Sequence, residues 1–193
     1  SPSLLGQKPF QHILRHLEVR ILGHLASNEN PWGPSPKAVA AAKVALEHGE
    51  LYPDGGCFAL RQKLATTHGL GADQYVIGNG SNEIIEFIGH AFLNPGDEVI
   101  TATFTYVATA EVIALLGLTP VLVDVEPGTF SLDLDQVRAA VTPRTKAIVP
   151  VHLYGQGADM DALLALANER GIPVVEDTAQ ALGARYTLRD GRT

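Results

Sequence analysis

The sequence predicts an α/β fold: a three-layer domain in which a mostly parallel sheet is covered by helices on both faces. Three observations point there. Five short β-rich runs recur along the chain. Helical stretches lie between them, one with its apolar residues at helical spacing. The order is two helices first and then β-α repeated, the pattern of parallel strands joined by crossover helices.

Taken in order, Ser35 as N-cap and Pro36 in the first turn open a helix over about 35–48, and a second helix covers about 57–68. The first strand is Tyr75–Asn79 (YVIGN), followed by Gly78-Asn79-Gly80-Ser81-Asn82-Glu83 and an apolar helix over Ile84–Leu93. Further strands are Glu98–Ala102 (EVITA) and Pro120–Val125 (PVLVDV). Asp133 with Gln136 three residues on resembles a capping box and opens a helix at about 133–141. The fourth strand is Lys146–Tyr154 (KAIVPVHLY). Met160, Leu163, Leu164 and Ala167 then form one apolar helical stripe, and Ile172–Thr178 (IPVVEDT) is the fifth strand.

Composition excludes several classes. At 193 residues, 46% of them apolar, the chain can bury one sizeable core and is not a disordered tract. A net charge of −7 with no basic stretch argues against nucleic-acid and membrane-surface binding. The single cysteine, Cys57, permits no internal disulfide and fits a reducing compartment. No run of about 18 apolar residues is present, and no signal pattern opens the chain, so the expected location is the cytoplasm. No metal-ligand spacing occurs.

In open α/β sheets ligands gather at the carboxyl ends of strands, so those ends carry the candidate residues. Gly78 and Gly80 let the backbone turn tightly, and the N–H groups and dipole of the following helix favour an anion such as phosphate. The same turn also reads as a plain strand-to-helix junction capped by Ser81. Asp177, after the apolar run Val174-Val175, needs a partner if buried. A protonated pyridine nitrogen would serve, with Gln180 reaching a phenolic oxygen on the same ring. Alternatively Asp177 is a helix N-cap and Gln180 completes its box. Phe104 or Tyr106 could stack on a planar heterocycle or simply pack, and spacing does not choose between them. His152 reads as a structural hydrogen-bonding group. The pairs Asp133/Asp135 and Asp159/Asp161 complement helix dipoles.

Leu25–Pro31 (LASNENP), Gly33–Ala38 (GPSPKA), Tyr52–Gly55 (YPDG) and Gly78–Glu83 (GNGSNE) together resemble histidinol-phosphate aminotransferases over about residues 20–100. From about residue 99, Thr103–Ala110 (TFTYVATA), Pro143–Ile148 (PRTKAI), Val151–Gln156 (VHLYGQ) and Glu176–Gln180 (EDTAQ) resemble DegT-type sugar-nucleotide aminotransferases. Both are fold-type I enzymes dependent on pyridoxal 5′-phosphate, so the chain reads as a hybrid joined near residues 98–105. The resemblance implies that Gly80, Ser81 and Asn82 hold the cofactor phosphate and that Tyr106 lies on the ring. It implies further that Asp177 pairs with the ring nitrogen and Gln180 contacts the ring hydroxyl. Tyr52 would reach a neighbouring subunit's phosphate, which implies a homodimer; an amino donor and a keto acceptor would be the small-molecule partners. Leu182 departs from the second family, which has His there, and the His152 loop replaces an asparagine segment of the first.

Both families place a Schiff-base lysine beyond the Asp177 strand, followed by a small C-terminal domain. The lysines here are Lys8, Lys37, Lys43, Lys63 and Lys146, none at the expected site. The expectation is therefore a cofactor-binding large domain over 1–193, with 1–34 as an N-terminal arm, the small domain absent, and no catalytic residue among those present. The other expectation is a non-catalytic or engineered scaffold, or an inactive paralogue, retaining at most a phosphate site.

Overall fold

The structure is a computed structural model that describes residue 30 and residues 32–192. The arm expected over 1–34 lies almost wholly outside the described residues. Between Pro53 and Asp54 the chain divides into two compact units.

The N-terminal unit contains helix α1, Pro36–Leu46, two residues shorter than the expected span at its carboxyl end. Ser35 caps it by accepting from Ala38 N–H at 3.4 Å, and Pro36 occupies the position where a missing N–H costs nothing.

The second unit begins with α2, Phe58–His68. Asp54 opens it, accepting from the N–H groups of Gly56 (3.0 Å) and Phe58 (2.6 Å). After a 3₁₀ turn at Ala72–Gln74 comes the run read as the first strand, 75–79. It joins no β-ladder among the described residues. The run has strand composition, but a strand exists only where another backbone accepts its hydrogen bonds.

Helix α3, Ser81–Phe92, leads to β1, Glu98–Ala102. Helix α4, Ala108–Leu115, precedes β2, Thr119–Val123; α5, Leu134–Ala140, precedes β3, Thr145–Val149. A 3₁₀ turn at Leu153–Gly155 and α6, Met160–Arg170, follow. The sheet order is β2-β1-β3, all parallel. β3 stops earlier than expected because Pro150 has no N–H to continue the ladder. The run 172–178 lies parallel to β3 and the residues just after it through two isolated bridges, Ile148–Val174 and Val151–Asp177. Pro173 contributes only its carbonyl there, accepting from Ile148 N–H at 3.1 Å.

Alternation along the strands builds two cores, one on each face, as a three-layer fold requires. Ile100, Ala102, Val123 and Ile148 face Val137 of α5 and Met160, Leu163, Leu166 and Ala167 of α6. Val99, Ala147 and Val149 face Ile113 and Leu118, with Leu93 and Leu116 packed alongside. α3 approaches α4 so closely that a Cβ on Gly89 would run into Leu116 Cδ1. Each fully buried aliphatic side chain contributes about 1.5–3 kcal/mol.

At the amino edge of the sheet, buried Glu98 accepts from Thr142 Oγ1 (2.5 Å) and from Arg144 Nη2 (2.5 Å). The Thr142 hydroxyl, and after it the Arg144 guanidinium, hold the Glu98 carboxyl below its ordinary value against the opposing effect of burial. Lys146 sits at this same edge, its Nζ donating to Pro143 O at 3.1 Å. No helix among the described residues is long and apolar enough to cross a membrane.

Candidate functional site

The carboxyl edge of the sheet opens onto a cavity of about 570 Å³ whose walls include Gly80, Ser81, Ile84, Val149, Asp177 and Ala179. It brings together the two motifs singled out in the sequence, the glycine turn and the Asp177 segment, which are almost a hundred residues apart.

The turn comes first. Gly80, not Ser81, is the N-cap of α3, with φ 86° and ψ 177°, and no side chain caps the helix. That conformation lies in a region essentially restricted to glycine. The N–H groups of the first turn are therefore presented without a side-chain acceptor, and the macrodipole adds its positive end. Glu83 turns away from this role, accepting from Asn79 N–H (2.6 Å) and Asn79 Nδ2 (3.0 Å). A Cβ on Gly78 would press on Ile84 Cδ1 at 2.9 Å, so that glycine serves close packing of the turn on the helix. Asn82 is exposed at the second position of α3.

Asp177 is held on every side. Its N–H donates to Pro150 O (2.9 Å) and its carbonyl accepts from His152 N–H (3.0 Å). Its carboxylate accepts from Thr109 Oγ1 through Oδ2 (2.9 Å) and from Ala179 N–H through Oδ1 (3.1 Å). No helix starts here, so the N-cap alternative does not describe this segment. Gln180 does not reach back to Asp177; its Oε1 accepts from Tyr154 N–H at 3.0 Å, which leaves its amide hydrogens as the remaining donors. Tyr154 takes up a left-handed conformation, φ 57°, in the turn that makes this bond.

His152 is buried as a hydrogen-bonding group. Its Nδ1 accepts from Ala158 N–H at 3.2 Å, so Nε2 carries the proton and donates to Glu176 Oε2 at 2.8 Å. The two aromatics also separate. Phe104 stacks on Phe130, with ring centroids 5.4 Å apart and planes at 28°, while Tyr106 is 72% exposed. Tyr52 is fully exposed in the N-terminal unit. Asp133 and Asp159 cap α5 and α6, as dipole complementation requires.

Thr109 escaped the sequence reading. It lies 68 residues from the carboxylate it binds, and no local pattern marks that pairing.

The arrangement can hold an anion at the α3 terminus and accept hydrogen bonds from a cationic or donor group at Asp177, within one hollow. These residues fit pyridoxal phosphate: uncapped donors suit the phosphate, and the carboxylate suits a protonated ring nitrogen.

Comparison with known proteins gives the following. The DegT/DnrJ/EryC1/StrS aminotransferase family model matches residues 58–191, a span that begins upstream of the join expected near 98–105. UDP-2-acetamido-2-deoxy-3-oxo-D-glucuronate aminotransferase of Pseudomonas aeruginosa is 46% identical over 151 residues, 78% of this chain and 42% of that protein. Histidinol-phosphate aminotransferase of Moorella thermoacetica is 38% identical over 141 residues, 73% of this chain and 36% of that protein. Among solved structures, NtdA from Bacillus subtilis with bound cofactor PMP aligns with a TM-score of 0.67 at 31% identity, covering 81% of this chain and 38% of that one. The chain thus spans less than half the length of each of these relatives.

Proposed function

The chain belongs to the DegT/DnrJ/EryC1/StrS aminotransferase family, and from that premise we propose that its 54–192 unit anchors pyridoxal 5′-phosphate for amino transfer to a keto sugar nucleotide. The observation that carries this reading is the shared hollow, in which an uncapped helix terminus and a firmly held carboxylate both take part.

In this reading Gly80, Ser81 and Asn82 bind the phosphate at the start of α3. Asp177 accepts from the protonated ring nitrogen, and Gln180 directs its amide hydrogens to the ring oxygen. Tyr106, rather than Phe104, covers the ring face, because Phe104 is engaged with Phe130. Bound pyridoxal phosphate supplies an electron-withdrawing ring that stabilises negative charge on the carbon bearing the amino group. Tyr52 reaches the phosphate held by a second copy, which makes a homodimer the working unit. A keto sugar nucleotide is preferred as acceptor to the ketone corresponding to histidinol phosphate, because the relative named for a UDP-sugar is the more similar, 46% against 38%.

Neither lysine of the 54–192 unit lines the hollow: Lys63 belongs to α2 and Lys146 to the opposite edge of the sheet. These residues therefore bind the cofactor reversibly and do not by themselves transfer an amino group, a step that requires a lysine to move the substrate proton.

The test is to add pyridoxal phosphate, reduce one portion with borohydride before dialysis and another after it, and map pyridoxyl peptides. Saturable binding that dialysis removes, with no specific lysine adduct, is expected. A stoichiometric adduct on one lysine, accompanied by turnover of an amino donor, would overturn the non-covalent assignment. No saturable binding at all would remove the cofactor reading and favour a scaffold that keeps only an anion site.

A further inference from the structure

We infer that Thr109 is the positioning residue for Asp177, fixing the direction in which its carboxylate meets the cofactor ring. The inference rests on the cofactor reading above and adds a residue that the reading does not use.

Thr109 stands in the first turn of α4 and is only 2% exposed. Its hydroxyl donates to Asp177 Oδ2 at 2.9 Å, while Ala179 N–H donates to Oδ1 at 3.1 Å. The backbone of Asp177 is already fixed by Pro150 and His152. What remains free in the side chain is the choice of χ1 rotamer and rotation about the last torsion, which is broad and two-fold. One donor on each oxygen, arriving from two separate elements, removes that freedom. Each carboxylate oxygen accepts about two hydrogen bonds, so the locked group still has room for a donor from the ligand.

The burial of Thr109 supports the same conclusion. A hydroxyl taken out of water is unfavourable unless it is bonded, and a valine of nearly the same shape would fill this place without that penalty. A purely structural contact would stabilise the fold and leave ligand orientation alone. A positioning contact acts through Asp177 and is lost when Asp177 is changed.

The experiment compares the unsubstituted chain with Thr109→Val, Thr109→Ser, Asp177→Asn and the Thr109→Val/Asp177→Asn pair. Two quantities are read: the affinity for added pyridoxal phosphate from its long-wavelength absorption, and the Asp177 carboxyl carbon resonance without cofactor. That resonance is assigned by its loss in Asp177→Asn.

Thr109→Val should weaken binding about ten-fold, the lower end for a hydrogen bond to a charged group, and move the Asp177 resonance. Thr109→Ser should restore most of both. In the Asp177→Asn background Thr109→Val should cost no further affinity, because the two residues act as one unit. If Thr109→Val does not fold, Thr109→Ala takes its place. An unmoved Asp177 resonance, or a full ten-fold loss persisting in the Asp177→Asn background, would overturn the role of Thr109 and leave the cofactor reading standing. No binding by the unsubstituted chain would overturn the cofactor reading and this role with it.

Discussion

Replacing Gly80 with alanine isolates the contribution of one backbone conformation to both stability and anion binding. Gly80 has φ 86° and ψ 177°, and a Cβ built there would meet no atom within 4 Å. The substitution therefore carries no packing clash, and its whole effect is the strain of forcing an L-residue into a region reserved for glycine. That strain amounts to about 1–3 kcal/mol. For a domain of this size, each kcal/mol lowers the melting temperature by about 2–4 °C, so the expected fall is roughly 2–12 °C. Gly128→Ala is the matched comparison. It too has open space around its Cβ, without the left-handed backbone, and should change stability by less than about 0.5 kcal/mol. Any relaxation of the strain turns the first N–H groups of α3 away from the hollow, so Gly80→Ala should also weaken binding of pyridoxal phosphate. Thermal melts of the two variants, followed by cofactor titration, measure both effects. If Gly80→Ala melts with Gly128→Ala and binds like the unsubstituted chain, the turn does not work as described.

Two further outcomes are expected. Tyr106→Ala should lower pyridoxal phosphate affinity several-fold. Phe104→Ala should instead lower stability by about 1 kcal/mol through loss of the Phe130 stack, with affinity little changed; cofactor titration and urea unfolding of both variants decide the assignment. Glu98 is held below its ordinary value, first by the Thr142 hydroxyl and then by Arg144. Its contribution to stability is therefore fully present above the ordinary carboxylate range and is lost as pH falls through the lowered folded value. Urea midpoints measured from neutral to acid pH should decline less steeply in Glu98→Gln than in the unsubstituted chain.

What could be read in the sequence was what is local. Asp133 and Asp159 cap helices with donors two or three residues away; Asp133 was legible as a cap and Asp159 as an acidic residue at a helix start. Glu98–Ala102 was legible as a strand because its apolar residues serve two cores at once. The run 75–79 also has strand-forming residues but forms no ladder among the described residues, since a strand depends on a distant partner that composition does not record. The fifth run meets the neighbouring segment through two isolated bridges, which flank Pro150, a residue with no N–H to join them into a ladder. Within the site, the glycine turn and Asp177 announced themselves by residue type. The proposed choice of Tyr106 over Phe104 rests on the Phe104–Phe130 stack, and the hold on Asp177 depends on Thr109; both partners lie far along the chain.

The backbone bonds around Asp177 have a consequence for how such a site can change over time. The N–H and carbonyl of residue 177 are tied to Pro150 and His152, and neither tie involves a side chain. The position is thus defined by the scaffold, and the chemistry placed there is defined separately by whichever side chain it carries. Substitutions at the rim, for example at Leu182, which lines the same hollow, can accumulate against that frame without displacing the group at its centre. On the proposed cofactor reading, acceptor specificity and cofactor geometry can then change independently, the one through side chains at the rim and the other through the side chain at position 177.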